Sequence, residues 1–249
     1  MTTEPARGAL PMTDHTTKAF DVDLRELTSM VEEMGGRVLH QLADSLDALA
    51  NRDADLGHRA MAVDPDIDAL QHAIEEKAVL TIARRQPMAI DLREIVGALR
   101  ISNDLERVGD LAKNIGKRIL PLAAEVHPES LMQGVERMGE LVLVRMREVL
   151  DSYANRELEA ALAVWNGDEE IDAMCTSLFR ELLTYMMEDA RNITYCIHLM
   201  FCAKNIERMG DHATNIAETV YYIIEGRSIA QERPKGDTTT FADMVAGER

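Results

Sequence analysis

The sequence predicts an all-α protein built as two tandem three-helix bundles. Three observations lead there: an internal duplication, apolar residues recurring every three or four positions, and a composition poor in strand formers. Aromatics make up only 4% of the 249 residues, against 46% hydrophobic and 29% charged. Ala, Leu, Met, Glu and Arg dominate, residues that cost a helix little and give a sandwich or barrel little to pack. A chain this apolar is long enough to bury a core and is not disordered as a whole. Its net charge is −17, from 27 Lys+Arg against 44 Asp+Glu, and no basic run occurs. Such a chain repels a phosphate backbone, so nucleic acid is not an expected partner.

The duplication appears when Leu27 is laid over Leu131. Residues 27–69 then run against 131–173 without a gap and agree at sixteen positions, among them Met34-Gly35 with Met138-Gly139 and Ala50-Asn51-Arg52 with Ala154-Asn155-Arg156. Further on the register shortens by three residues. Glu106-Arg107-Val108-Gly109-Asp110 lies over Glu207-Arg208-Met209-Gly210-Asp211, and Asn114-Ile115 over Asn215-Ile216. A connecting turn in the second copy can absorb the loss.

Each copy reads as three helices. Leu24, Leu27, Val31, Met34, Val38, Leu42, Leu46 and Leu49 form one buried stripe, repeated by Leu131, Val135, Met138, Val142, Met146 and Val149. A second helix starts at Asp64-Pro65, an acidic cap with proline at the first helical position, and buries Ile67, Leu70 and Ile74. After a turn at Arg85-Gln86-Pro87 the third helix runs from about Met88 to Leu120, where Pro121 is expected to stop it. The last helix runs from about Asn192 to Glu225 and ends on Gly226, a residue suited to a left-handed cap. The bundles are therefore expected at residues 18–121 and 125–226, with disordered ends at 1–17 and 227–249. Short turns force antiparallel order.

No segment approaches the ~18 apolar residues needed to cross a bilayer, and no secretory signal opens the chain. Cys175, Cys196 and Cys202 have no Cys-x-x-Cys spacing. A sparse, odd, helix-embedded set suits a reducing compartment, and a cytoplasmic protein is expected.

Four acidic pairs at i, i+4 carry the candidate chemistry: Asp64/Asp68, Glu106/Asp110, Asp168/Asp172 and Glu207/Asp211. That spacing puts both carboxylates on one helix face, about 5–6 Å apart, where they repel unless a cation neutralises them. Asp68 lies nineteen residues before Pro87 and Glu106 nineteen after it; Asp172 lies eighteen before Ala190 and Glu207 seventeen after. At about 1.5 Å per residue, the pairs on adjacent antiparallel helices stand at the same height. An isolated acidic pair is ordinarily solvated, whereas four duplicated at matched heights point to a shared cation. Oxygen-only donors select a hard ion, Mg²⁺ or Mn²⁺, with iron also compatible, over a structural zinc. Because Glu106 and Asp110 oppose the apolar stripe Ile101, Leu105, Val108, Ala112 and Ile115, the site is expected as a surface groove.

Around the acids, Asn114 and Asn215 either add an amide oxygen or join helices by hydrogen bonds. Arg107 and Arg208 either orient ligands or pair with neighbouring acids. Gly109 and Gly210 cost about 1 kcal/mol each inside a helix, so they allow close helix approach or ligand access. The seven histidines form no cluster, and none has Glu three residues earlier, unlike ferritin-like di-iron bundles. A phosphotransfer bundle would require an exposed nucleophile such as His72 or His198. No phosphate loop, nucleophile elbow or metalloprotease motif is present, so no enzyme is expected. The competing expectation is a carboxylate-bridged metalloenzyme on a helical bundle.

The stretch Ala203-Lys204-Asn205-Ile206-Glu207-Arg208-Met209-Gly210-Asp211-His212-Ala213-Thr214-Asn215-Ile216-Ala217-Glu218 resembles the last helix of the PhoU family, regulators of bacterial phosphate uptake. Arg85-Gln86-Pro87 with Asp91-Leu92-Arg93, then Asp104-Leu105-Glu106-Arg107-Val108-Gly109-Asp110, resembles that family's first repeat. The likeness spans residues 20–226 approximately and implies two similar bundles with multinuclear metal sites holding iron, zinc, magnesium or manganese. It further implies a cytoplasmic protein, peripheral to the inner membrane at most; a homodimer is expected from the extra apolar helix faces of the chain itself. Such a protein links the phosphate ABC transporter ATPase subunit to a sensor histidine kinase and keeps the starvation response off when phosphate is plentiful. Carried over by position, the metal ligands are Glu106, Asp110, Glu207 and Asp211, then Asp64, Asp68, Asp168 and Asp172. The Pro87…Asp91-Leu92-Arg93 connection has no equivalent in the second copy, which predicts two unequal sites.

Overall fold

The computed structural model describes residues 13–88, 90–123 and 129–231. Among the described residues eight α-helices follow one another: α1 (Thr13–Asn51), α2 (Ala54–Ala62), α3 (Asp64–Arg85), α4 (Ile90–Ala123), α5 (Glu129–Asn155), α6 (Leu158–Asn166), α7 (Asp168–Glu188) and α8 (Ile193–Glu225). A single 3₁₀ turn at Ala190–Asn192 precedes α8. The three long helices expected of each copy are present, and among the described residues no strand occurs.

Each copy also contains a helix that periodicity did not reveal. The nine residues of α2 bury only Gly57 and Ala60, side chains too small to write a hydrophobic stripe. Its counterpart α6 buries Ala161, Val164 and Trp165. Both are launched by the same device. Arg52 and Arg156, matched in the duplication, take left-handed backbone conformations at φ 54° and 58°. Asp53 N–H then bonds Ala48 C=O and Glu157 N–H bonds Ser152 C=O, the six-to-one closure of a helix C-terminus. The Asp53 side chain goes on to cap α2 by accepting from Leu56 N–H at 2.9 Å.

Four boundaries differ from expectation. Val63, at the junction with α2, keeps right-handed backbone angles, so Asp64 is already the first residue of α3 and makes no cap. Pro121 lies inside α4 rather than ending it. Only the final turn follows it, so the missing N–H forfeits one bond, while Leu122 gains full burial. At the ends, α1 begins at Thr13, within the segment expected to be disordered. Beyond Gly226, which takes the left-handed cap at φ 74°, Ile229 packs against the core although a tail was expected there. Residues 1–12 and 232–249 of the expected tails lie outside the described residues.

The predicted stripes face inward: Leu27, Val31, Met34, Val38, Leu42 and Leu49 are buried, as are Leu131, Val135, Met138, Val142, Met146 and Val149. Each such side chain contributes about 1.5–3 kcal/mol relative to exposure. The two copies share one continuous hydrophobic core, because α4 packs along α8 and α1 along α5. Gly97 makes the α4–α8 approach possible: a Cβ there would stand 2.4 Å from Ile223 Cδ1. Among the described residues no helix is long and apolar enough to cross a membrane.

Candidate functional site

Helices α3 and α4 carry the acids of the first copy, α7 and α8 those of the second. Gly109 and Gly210 set the helix spacing beside them. A Cβ on Gly109 would meet Ile67 Cδ1 at 3.3 Å and Gln41 Oε1 at 3.1 Å; one on Gly210 would meet Ile171 Cδ1 at 2.9 Å. Of the two roles left open for these glycines, close helix approach is the one realised.

The acids are less solvated than a surface groove implies. Asp168, Asp172 and Glu207 are 3%, 6% and 6% exposed, since α7 lies close over α8 and shields that face. Burial pushes the Glu207 carboxyl above its ordinary range. Lys204 opposes that rise, and Asp211 and Asp172 reinforce it. Glu106 behaves alike: burial raises it, Arg107 lowers it, and Asp110, Asp68 and Asp64 raise it further. Acids of the facing helix thus act on each glutamate: Asp64 and Asp68 on Glu106, and Asp172 on Glu207. Glu106 Oε2 and Glu207 Oε2 are both buried and accept no hydrogen bond among the described residues.

The two copies neutralise this charge differently. In the first, the Lys113 ammonium bridges the helices, 2.5 Å from Asp64 Oδ2 and 3.3 Å from Asp110 Oδ1. The residue matched to Lys113 is Thr214, whose single O–H is shared between Asp168 Oδ1 and Gly210 C=O, each 3.1 Å away. Lys204 instead reaches Glu207 Oε1 at 2.8 Å. The oxygen donors, with Glu207 Oε2 buried and accepting no hydrogen bond among the described residues, are the chemistry a hard cation takes. Their arrangement is not a finished cage: among the described residues no group of three or more His, Cys, Asp or Glu side chains is gathered to hold a metal ion.

The flanking candidates divide. Arg107 pairs with Glu106 Oε2 at 3.4 Å and Asp110 Oδ2 at 3.9 Å, while Arg208 is exposed. Asn114 accepts from Lys117 at 3.1 Å, and Asn215 donates to Asp104 across the α4–α8 seam at 3.3 Å. Each four-residue step turns a side chain about 40° around the helix. Two steps therefore carry these amides off the acidic face into the seam. His72 Nδ1 lies 2.7 Å from Asp68 C=O, one turn back on its own helix.

Sequence reasoning passed over Lys113 and the seam itself. His212 Nδ1 lies 2.8 Å from Asp104 Oδ1, joining α8 to α4 between copies. The signal available was the mismatch of otherwise equivalent positions: Lys113 against Thr214, Asp104 against Asn205.

The PhoU domain family model matches twice, at residues 31–119 and 135–220. The chain is 55% identical over 231 residues to a phosphate-specific transport system accessory protein PhoU homolog of Rhizobium meliloti, covering 93% of this chain and 98% of that protein. Identity to the PhoU accessory protein of Escherichia coli K12 is 34%, over 88% and 90% of the two chains. The crystal structure of PhoU from Pseudomonas aeruginosa superposes with a TM-score of 0.81 at 36% identity, covering 84% of this chain and 100% of that one. PhoU of Streptococcus pneumoniae gives 0.78 at 27% identity, covering 85% and 100%. Two matched repeats, doubled acidic helix faces and relatives along almost the whole chain lead to one conclusion: the chain belongs to the PhoU family.

Proposed function

We propose that this protein is a non-enzymatic accessory regulator of phosphate transport, a cytoplasmic adaptor that links the phosphate ABC transporter ATPase subunit to a sensor histidine kinase and restrains the phosphate-starvation response. The names of its relatives support the phosphate role. The adaptor part is carried by where the exposed apolar side chains lie. They concentrate at the two hairpin tips: Met88, Ile90 and Leu92 where α3 turns into α4, Leu183, Met187, Ile193 and Ile197 where α7 turns into α8. Met88 and Met187 are 80% and 88% exposed. Flexible, polarizable methionines at protruding tips suit binding to another protein. Homodimerisation would draw on the same surplus of apolar helix surface.

Metal binding belongs to the same proposal. A divalent cation (Mg, Mn, Fe or Zn) would be held by Asp168, Asp172, Glu207 and Asp211 in the second copy. In the first it would be held by Asp64, Asp68, Glu106 and Asp110, in competition with Lys113. Bound there, it supplies positive charge between facing helices and stiffens each copy; no reaction is assigned to it. The buried Glu207 Oε2, which accepts no hydrogen bond among the described residues, supports this assignment.

A pull-down of the full chain with the ATPase subunit and the kinase, in high and low phosphate, tests the adaptor. Capture of either partner is expected, with loss in the Met88→Asp/Met187→Asp variant. Recovery of neither partner in any phosphate condition would falsify the adaptor reading. Elemental analysis of protein purified without chelator, against a Glu106→Gln/Asp110→Asn/Glu207→Gln/Asp211→Asn variant, tests the metal separately.

A further inference from the structure

Packing α4 against α8 leaves a pair of clefts along the seam, and the duplication relates them. One is lined by Arg100, Asp104, Asn215, Glu218 and Tyr222, with Ser228 and Ile229 closing one end. The other, about 460 Å³, is lined by Asn114, Lys117, Arg118, Pro121, His198, Phe201 and Asn205. In the repeat register Asn215 matches Asn114, Asp104 matches Asn205, and Glu218 matches Lys117. Equivalent positions have therefore exchanged both carboxylates of the first cleft for an amide and an ammonium in the second.

The consequence is a local reversal of charge. The first cleft satisfies its acids internally: Asp104 faces His212 at 2.8 Å and accepts from Asn215 at 3.3 Å, and Glu218 accepts from Trp165 Nε1 at 3.0 Å. The second contains Lys117, Arg118 and His198 with two amides and, among the described residues lining it, no carboxylate. In a chain of net charge −17 this is a conspicuous place to gather cations. Arg118 is also held in position. Its guanidinium lies over the Phe201 ring, 4.4 Å from the centroid, and one N–H stands 3.4 Å from His198 Nδ1. Stacking occupies the face of the guanidinium and leaves in-plane donors at its edge, the geometry that forks onto a tetrahedral oxyanion. The cleft's volume falls within the range of small-ligand sites, ~300–1,000 Å³.

We propose that this basic cleft binds a small tetrahedral oxyanion, inorganic phosphate or the phosphoryl group of a nucleotide. Lys117 and Arg118 come from α4, His198 and Asn205 from α8, so the bound anion ties the two copies together. The inference stands apart from the adaptor reading, since neither transporter nor kinase enters its test.

The test is equilibrium dialysis of the purified full chain with radiolabelled orthophosphate. Chelator is present throughout, so that no metal at the acidic faces retains the anion, and sulfate and ATP serve as competitors. Saturable uptake of one anion per chain is expected. Arg118→Gln and Lys117→Gln should each weaken it at least about tenfold, the loss of one charge-assisted contact, while Arg100→Gln in the twin cleft leaves it unchanged. Displacement by ATP at lower concentration than by orthophosphate assigns the site to a nucleotide; the reverse order assigns it to the free ion. Absence of saturable orthophosphate uptake overturns the proposal. So does undiminished binding in both seam variants, checked by circular dichroism for native helix content.

Discussion

Replacing Lys113 by methionine removes one charge and keeps an unbranched side chain of similar length. Among the described residues, Lys113 is the cation that touches both acidic helices of the first copy, and its side chain is 29% exposed against 11% for that of Asp64. Exposed ion pairs contribute about 0–1 kcal/mol, whereas breaking a fully buried one costs about 3–5 kcal/mol because the partner charge is stranded. This pair lies between those limits. Asp64 cannot escape to water, while Asp110, 42% exposed, can. The variant should lose about 1–3 kcal/mol in urea denaturation with chelator present. Adding Mg²⁺ or Mn²⁺ should return more stability to the variant than to the parent, because in the parent the metal must first displace an ammonium. Lys113→Thr, which copies the Thr214 arrangement, should respond to metal as the methionine variant does. If Lys113→Met matches the parent within about 0.5 kcal/mol in chelator, or metal shifts both equally, the four carboxylates do not share a field and the cation argument fails.

Three further outcomes are expected. Gly97→Ala forces a methyl to within 2.4 Å of Ile223 Cδ1 and 2.6 Å of Cγ1; despite a helix-propensity gain of about 1 kcal/mol, it should destabilise by about 1–2 kcal/mol net, read by thermal denaturation. Asp23, held by Lys77 and Arg85, has its carboxyl lowered chiefly by the Lys77 hydrogen bond. A depressed acid stabilises the fold above its unfolded value and loses that contribution as pH falls through the folded one. Asp23→Asn should therefore cost about 1 kcal/mol at neutral pH and converge with the parent in acid, with equal loss at both pH values counting against the reasoning. Finally, Cys175, Cys196 and Cys202 are all buried, and burial pushes the Cys202 thiol up to about 12. A thiol reagent should label none of them until the chain unfolds; rapid labelling of Cys202 in native buffer would contradict its packing.

Much of this protein was written in its sequence, for reasons of periodicity. A long helix buries one face, so the stripes from Leu27 to Leu49 and from Leu131 to Val149 declare themselves, and a duplicated chain declares them twice. The i, i+4 acidic pairs were legible on the same ground, since helix geometry alone places both carboxylates on one face. Helices α2 and α6 were not: nine residues are too few to show a period, and α2 packs only through Gly57 and Ala60. Pro121 misled for a related reason: its local preference was outweighed by the burial of Leu122. What surrounds each acidic pair belongs to the tertiary structure. Which cation answers Asp64, that Asn114 and Asn215 turn into the seam, and that one seam cleft is basic while its twin is internally neutralised all depend on side chains from helices distant in sequence. Spacing along one helix fixes a face; only packing fixes what that face meets.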